Sequence, residues 1–392
     1  MKHNKNIIWI SHGSTLHGAE RVLIEGVKGL KNLNYEVNVV FPSNGELLEK
    51  CNQYVVNISI TNIPWWIDRG VRINFISKVT LLLEIFKSTF NILKEIRRLK
   101  GDTVISNTIA IPSGAIAAFI LRKKHIWYIH EFGKEDHNFN FIFNEWLSCK
   151  VISLLSNKVI FNSIAVKNKF DKYISSKKTA ILYSAVDINS FDKKIYTNLI
   201  FNKNQPLKIA IIGRVSKSKG QFEAIKAIEY LILKKKYNID LKIIGALNDE
   251  YTLKLSKYVL DNKMEKQIEI ISFISNPIDF MKRSDVCLNC SKQEAFGLIT
   301  VESMKLGIPV IASDTGGNLE LVENNKNGML YRQGNYRSLA EKIEYLYLNP
   351  NEIERMGSYA YEWSNKKFNL IKYQDELDKV IMDVYKKNYD AK

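Results

Sequence analysis

The chain has 392 residues, 46% of them hydrophobic and 25% charged, with 57 Lys and Arg against 41 Asp and Glu for a formal net charge of +16. Against about 100–200 residues per domain this length asks for two domains, and the composition excludes disordered, collagen-like and low-complexity classes. Residues 1–200 hold 27 basic and 16 acidic side chains and the rest 30 and 25, so the excess sits mainly in the first half, where a phosphorylated substrate, an anionic membrane surface and nucleic acid all remain open as partners.

Short β-branched runs alternate with helix-length amphipathic stretches, the pattern of an α/β chain with parallel sheets. In the first half, strands are predicted near 7–11, 36–41, 54–59, 103–106, 126–130, 158–161 and 179–183, with helices near 18–33, 77–99, 112–121, 144–155 and 163–173. Periodicity is lost between Asp187 and Pro206, and a new buried strand opens at Leu207. The second half reads as strands near 207–212, 239–245, 268–271, 285–289, 309–312 and 328–331, with helices near 220–236, 249–262, 298–306 and 335–348. A terminal stretch near 362–389 has helical spacing. The expected division is 1–187, a linker 188–206, 207–361, and a C-terminal helix 362–392 returning to the first domain.

The longest apolar run, Ile109 to Leu121, is interrupted by Pro112 and falls short of the ~18 residues a spanning helix needs. Ile7–Ile10 is too brief for a secretory segment before His12 and Gly13, so a cytoplasmic location is expected. Four cysteines (Cys51, Cys149, Cys287, Cys290) provide no disulfide framework. Cys287-Leu288-Asn289-Cys290, on a predicted buried strand and without a second pair, reads as packing and not as zinc.

Open parallel sheets bind ligands at the carboxyl ends of their strands, and three segments there carry chemistry. Gly213-Arg214-Val215-Ser216-Lys217-Ser218-Lys219-Gly220 follows the strand at 207–212. Its Arg214 fork and Lys219 point charge suit a diphosphate near a helix N-terminus, or else form a solvated basic turn. Ser291 to Glu302 follows the strand at 285–289, with Glu294 in a loop and Glu302 about one turn inside a helix. Glu302 there suits a sugar diol, and Gly297 permits close backbone approach to phosphate, although two glutamates near a helix are as readily surface charge. His12-Gly13 and His130-Glu131 follow strands of the first sheet, where a histidine is either structural or functional.

Together these segments resemble the family 4 retaining glycosyltransferases of the GT-B fold, glycosyl transferases group 1, over nearly the whole chain. The most specific stretch holds the Glu294/Glu302 pair, Gly307-Ile308-Pro309-Val310-Ile311-Ala312-Ser313, Gly316-Gly317-Asn318-Leu319-Glu320 and Asn327-Gly328-Met329-Leu330. Gly213-Arg214 through Lys219-Gly220, Gly18-Ala19-Glu20-Arg21 and Tyr183-Ser184-Ala185-Val186-Asp187 add to it. His17, Asn34-Tyr35 and Ser184-Ala185 depart from the family's usual residues.

The resemblance implies two Rossmann-like domains facing across a cleft, an acceptor on the N-terminal domain and a nucleotide-sugar donor on the C-terminal one, a UDP-sugar or a guanosine counterpart. It implies transfer with retention of configuration, without cofactor or metal, to a cell-envelope glycan or lipid-linked acceptor. By position, Arg214 and Lys219 would bind the diphosphate together with Gly213 and the backbone around Phe296, Gly297 and Leu298. Glu302 would hold the ribose, Glu294 the donor sugar and His130 the sugar in transit, with Gly13 admitting its close approach. Preorganised cations at a departing diphosphate fit the chemistry. A nucleotide-sugar epimerase of related architecture and a non-catalytic glycan-binding or partner-stabilising member of the fold are the rival readings. Nucleic-acid binding has no groove-reading motif behind it.

Residues 62–100 join Pro64-Trp65-Trp66-Ile67, Arg69, Arg72 and Phe75 to an amphipathic helix carrying Leu81, Leu82, Ile85, Phe86, Phe90, Ile92, Leu93 and Ile96 and closed by Arg97, Arg98 and Lys100. That mixture suits peripheral contact with an anionic membrane at its inner face. The competing reading is a core-facing helix with a solvated end.

Overall fold

In the computed structural model, which describes residues 5–68, 74–187, 193–194, 205–274 and 276–386, the chain forms two units, Met1–Asp187 with Asn369–Lys392, and Ile188–Phe368. Most of the stretch between Asp187 and Pro206, and Arg69 and Arg72, lie outside the described residues.

The first unit's strands are β1 (Asn6–Ile10), β2 (Glu36–Phe41), β3 (Asn57–Ile60), β4 (Ile67–Asp68), β5 (Thr103–Asn107), β6 (Lys124–Ile129), β7 (Asn140–Phe141), β8 (Lys158–Phe161) and β9 (Thr179–Ile181). Seven of them form a parallel sheet in the order β3-β2-β1-β5-β6-β8-β9, and β4 pairs antiparallel with β7. Ile7, Ile8, Trp9 and Ile10 of β1 are buried on both faces of the sheet, which is why a central parallel strand reads as an unbroken apolar run.

The second unit's strands are β10 (Leu207–Ile212), β11 (Ile239–Ala246), β12 (Ile268–Ser272), β13 (Val286–Asn289), β14 (Val310–Ser313) and β15 (Gly328–Tyr331). They are also all parallel, in the order β12-β11-β10-β13-β14-β15. Ile209 and Ile211 of β10 pack with Ile225 and Ile228 of helix Gln221–Lys235 and with Leu339 and Ile343 of helix Tyr336–Leu348. Both sheets are Rossmann-like. In each the strand order reverses beside the first strand, between β1 and β5 and between β10 and β13, so the fold offers one ligand crevice per sheet at those carboxyl ends.

The chain's end differs from the single helix expected near 362–389. Two helices occupy it, Pro350–Lys367 in the second unit and Leu370–Lys386 in the first. Phe368, 2% exposed, turns inward between them, edge-on to Phe296 and Trp363, and Asn369 restarts the chain by accepting from the Lys372 amide at 2.9 Å. The last helix buries Leu377 and Ile381 in the first unit. It approaches so closely that a Cβ on Gly29 would stand 2.8 Å from the Gln374 Cβ. Polar ties from Tyr35 to Asp378 and from Lys158 to Asp383 fix its register.

Candidate active site

The loops that leave β10 and β13 are built to meet. Gly213 (φ +133°) lets the chain leave β10, and Gly220 (φ +70°) opens helix Gln221–Lys235 in a conformation a side chain resists. A Cβ on Gly220 would stand 2.0 Å from the Cys290 carbonyl oxygen, so this glycine is what lets the first loop dock on the second. The Lys292 amide donates to the Ser218 carbonyl at 2.8 Å. Gln221, buried, braces the loop from inside by accepting from the Ser216 amide and donating to the Arg214 carbonyl.

This docking sets Lys219 Nζ 2.9 Å from Glu294 Oε2, the oxygen that also accepts from Ser291 Oγ at 2.6 Å. Glu294 is only 8% exposed. Burial alone would push its carboxyl up, but the Lys219 charge and hydrogen bonds from Ser291, Lys219 and Asn289 outweigh it and hold Glu294 below the ordinary carboxylate range. Asn289 donates to Thr300 Oγ1 and Asn318 Oδ1, Asn318 donates to Ser313 Oγ, and Ser313 donates to the Ser291 carbonyl. The carboxylate is thus held in direction by a buried polar network.

The backbone of Glu294 is clamped as well. Its carbonyl accepts from the Gly317 amide at 2.7 Å, and a Cβ on Gly316 (φ +55°) would reach to 2.0 Å from the same oxygen. Gly316→Ala is therefore expected to cost about 2 kcal/mol or more, from left-handed strain plus a backbone collision, read as a lower midpoint in chemical denaturation.

Glu302, 1% exposed, lies one turn inside helix Leu298–Lys305, which Gly297 (φ +105°) caps. Phe296 is buried and Leu298 opens the helix. Gly213, Lys219, Glu294, Phe296, Gly297, Leu298 and Glu302 therefore share two adjoining loops and one helix start. Arg214, in the same loop as Lys219, is exposed. There, after hydrogen bonds from Thr252, its charge helps hold the Asp249 carboxyl below its usual value. Sequence reasoning gave no role to Asn289, Ser291, Ser313 or Asn318, although the last three stand in the segments it quoted; Asn289 sits between the two cysteines that drew attention to that strand.

The first unit's crevice collects a second group. Ser11 Oγ donates to the Gly13 carbonyl, His12 Nε2 lies 3.2 Å from Glu20 Oε1, and the Trp65 indole donates to the His12 carbonyl at 3.1 Å. Gly13 lies flat over Glu20, where a Cβ would meet Oε1 at 2.6 Å. His130 Nε2 is 2.9 Å from Asn107 Oδ1, and the Asn107 amide nitrogen donates to the Ala19 carbonyl. That second bond orients the Asn107 oxygen toward the ring, so Nε2 carries the proton and Nδ1 is the acceptor. Nδ1 is buried and has no hydrogen-bond partner among the described residues. Burial, with His12 adding to it, pushes His130 down to about 3, so the ring is neutral.

Glu131 accepts from the Ile109 amide at 2.6 Å and the His130 amide at 2.9 Å, and its burial pushes it up to about 8. Between β5 and that contact, Thr108 takes φ +85°, a strained state for a β-branched residue. The Trp127 and Trp66 indoles fix it by donating to the Thr108 and Ile109 carbonyls.

These groups make opposite demands on pH. Burial raises Glu20 to about 7 and Glu131 to about 8 from 4.5, so their contribution is whole below about pH 4.5 and drains as pH climbs through 7–8. Burial lowers His130, and with it His125 on β6, a second buried histidine, to about 3 from 6.5, so theirs is whole above about pH 6.5 and is lost as pH falls toward 3. The unfolding temperature is expected to crest between about pH 5 and 7, and Glu20→Gln to flatten the alkaline side of that curve. A thermal melt series across pH checks both.

Comparison with known proteins bears on the family and the fold. The family described as "Glycosyl transferases group 1" matches residues 192–363, and "Glycosyltransferase Family 4" matches residues 16–190. A capsular polysaccharide biosynthesis glycosyltransferase, CapM of Staphylococcus aureus, is 27% identical over 226 residues, 57% of this chain and 58% of that protein. A Campylobacter jejuni enzyme named N-acetylgalactosamine-N,N'-diacetylbacillosaminyl-diphospho-undecaprenol 4-alpha-N-acetylgalactosaminyltransferase is 25% identical over 256 residues, 63% of this chain and 65% of that protein. Anabaena HepE, solved with UDP and glucose, superimposes with a TM-score of 0.76 at 21% identity, over 97% of this chain and all of that one. At that identity the likeness speaks to the fold.

Proposed function

Since the chain belongs to the family 4, group 1 glycosyltransferases, we propose that it moves a sugar from a UDP-sugar to a cell-envelope glycan or lipid-linked glycan, with retention of anomeric configuration and without a metal ion. The observation that carries the donor side is the Lys219–Glu294 pair at the crevice of the second sheet. In transfer the bond between the anomeric carbon and the diphosphate oxygen breaks, a bond to the acceptor oxygen forms, and the acceptor's proton leaves with the diphosphate. Charge grows on that diphosphate as it departs, and a cation already fixed in place stabilises it more than the bound donor.

Lys219 is suited to this because Glu294 engages one side of its ammonium while more than a third of the side chain stays open. Arg214 would close on the diphosphate, and the first-turn amides after Gly297 would take its remaining oxygens. Glu302 would hold the ribose hydroxyls and Glu294 the donor sugar. On the first unit, the bare His130 Nδ1 would accept from a sugar hydroxyl. The name of the Campylobacter relative supports a lipid-diphosphate acceptor, that of CapM an envelope polysaccharide, and the HepE complex a uridine donor.

Calorimetry with UDP, GDP and their sugars in chelator tests the donor reading: UDP is expected to bind and GDP to bind at least about tenfold more weakly. Magnetic resonance of the glycosylated product, formed from an α-linked donor, is expected to show an α linkage. Isomerised nucleotide sugar formed from donor alone would replace this reading with the epimerase.

A further inference from the structure

Helix Phe75–Arg98 is apolar on two opposite sides. Its inner face, Ile85, Ile92 and Ile96 with Ser88 and Thr89, is buried, and a surface helix is then expected to be polar on the other side. Instead, Ile76, Val79, Leu83, Phe86 and Phe90 follow one another at steps of three and four residues along the outer side, and Ile76 and Phe86 are each 74% exposed. Lys94 and Arg97 continue the same row, Lys87 flanks it, and Lys94 Nζ stands 4.5 Å from the Phe90 ring centroid. The helix tip is properly formed, since Asn74 caps it by accepting from the Ser77 amide at 2.8 Å. Exposed Trp146 and Leu147 open helix Glu145–Leu155, which starts from the same carboxyl edge of the sheet. Among the described residues of the second unit, large exposed apolar side chains such as Phe222, Leu253 and Leu319 are spread over separate helices.

We infer that this outer row docks the protein on an anionic lipid bilayer, the helix lying in the interface plane with Ile76, Val79, Leu83, Phe86 and Phe90 toward the acyl chains and Lys87, Lys94 and Arg97 on lipid phosphates. No described helix is long and apolar enough to cross a membrane, so the contact is one of lying on the surface, with apolar burial and basic residues supplying the two signals such binding needs. A second copy of the chain is a poorer occupant, because this row carries cations and no carboxylate to meet the partner's Lys87, Lys94 and Arg97, whereas anionic lipid neutralises them. The segment Pro64 to Ile67, expected from sequence to share in the contact, does not: Trp66 and Ile67 are buried, and Trp65 is tied to His12. The inference goes beyond the proposed transfer, giving a lipid-linked acceptor a surface on which to meet the enzyme.

The test is co-sedimentation of the full chain with phosphatidylcholine vesicles, with and without about 30% phosphatidylglycerol, in the absence of donor. Binding is expected only to the anionic vesicles and weakens with salt. The variant carrying Ile76→Ser, Leu83→Ser and Phe86→Ser is expected to bind at least about tenfold less, with an unchanged melting temperature and unchanged UDP affinity. Equal binding by the variant, or no binding by the native chain, would overturn the inference. So would a native dimer that the variant dissolves while vesicles capture neither. Because no turnover is read, failed glycosyl transfer alongside intact vesicle binding would remove the proposed activity and leave this surface standing.

Discussion

Replacing Lys219 by alanine is expected to lower turnover by about 10²–10³, the usual effect of removing one preorganised donor from a developing oxyanion. The same change strips Glu294, 8% exposed, of its neighbouring charge. A stability cost of about 1–3 kcal/mol accompanies it, below the range for a fully buried pair because the lysine side chain is 38% exposed. A second variant separates the two effects. Lys219→Ala with Glu294→Gln leaves no unpaired charge, so the melting temperature is expected to return toward the native value while turnover stays low. In Lys219→Ala alone the Glu294 carboxyl loses the influence that most opposes its burial. Its pKa rises, and the acid limb of the pH–rate profile moves to higher pH. Native turnover in the single variant would exclude Lys219 from the chemistry.

How far the sequence reveals this arrangement depends on the size of the feature. The two parallel sheets are legible because each central strand is buried on both faces and leaves an unbroken apolar run, as at Ile7–Ile10 and Ile209–Ile211. Helices Glu46–Cys51, Ile278–Arg283 and Asn318–Leu321 are not, since fewer than two turns carry no period to recognise. The break at Phe368–Asn369 is hidden for a different reason. The apolar spacing on its two sides is helical throughout, with no Gly or Pro at the junction, and only the tertiary contact of Phe368 with Phe296 and Trp363 turns the chain.

At the site, Glu294 and Lys219 are legible from their positions after strands, and Gly316 and Gly317 as a pair. Their cause is not: the glycines are needed because the Glu294 carbonyl lies against them, a fact of tertiary contact. Asn289, Ser291 and Ser313 read as ordinary polar residues near strand ends until the structure joins them into the network that orients the carboxylate. Helix Phe75–Arg98 shows the converse limit. Its spacing announces apolar faces, but which face meets the core and which meets solvent is decided only by packing.

Replacing His130 by alanine is the second large effect expected, a loss of about 10²–10³ in turnover with UDP affinity unchanged within about twofold. The ring is held so that one nitrogen is spent and one is available: Nε2 donates to Asn107 Oδ1 at 2.9 Å, while Nδ1 is a buried acceptor without a partner among the described residues. A buried acceptor without such a partner carries a desolvation cost that a substrate hydroxyl would repay on binding, and discrimination of this kind is strongest against an analogue lacking the hydroxyl. The native enzyme is therefore expected to reject one deoxy-sugar donor or acceptor by at least about 10²-fold, and His130→Ala to accept it as poorly as the full substrate. Asn107→Ala supplies the control, since it keeps the imidazole but frees it to change tautomer and turn. Its turnover is expected to fall between the native and His130→Ala values. Because burial keeps His130 neutral down to about pH 3, the histidine itself adds no inflection to the native profile between about pH 5 and 8. A deoxy panel read by kcat/KM for the three proteins decides the matter, and equal selectivity in native and His130→Ala enzymes would remove this nitrogen from substrate recognition.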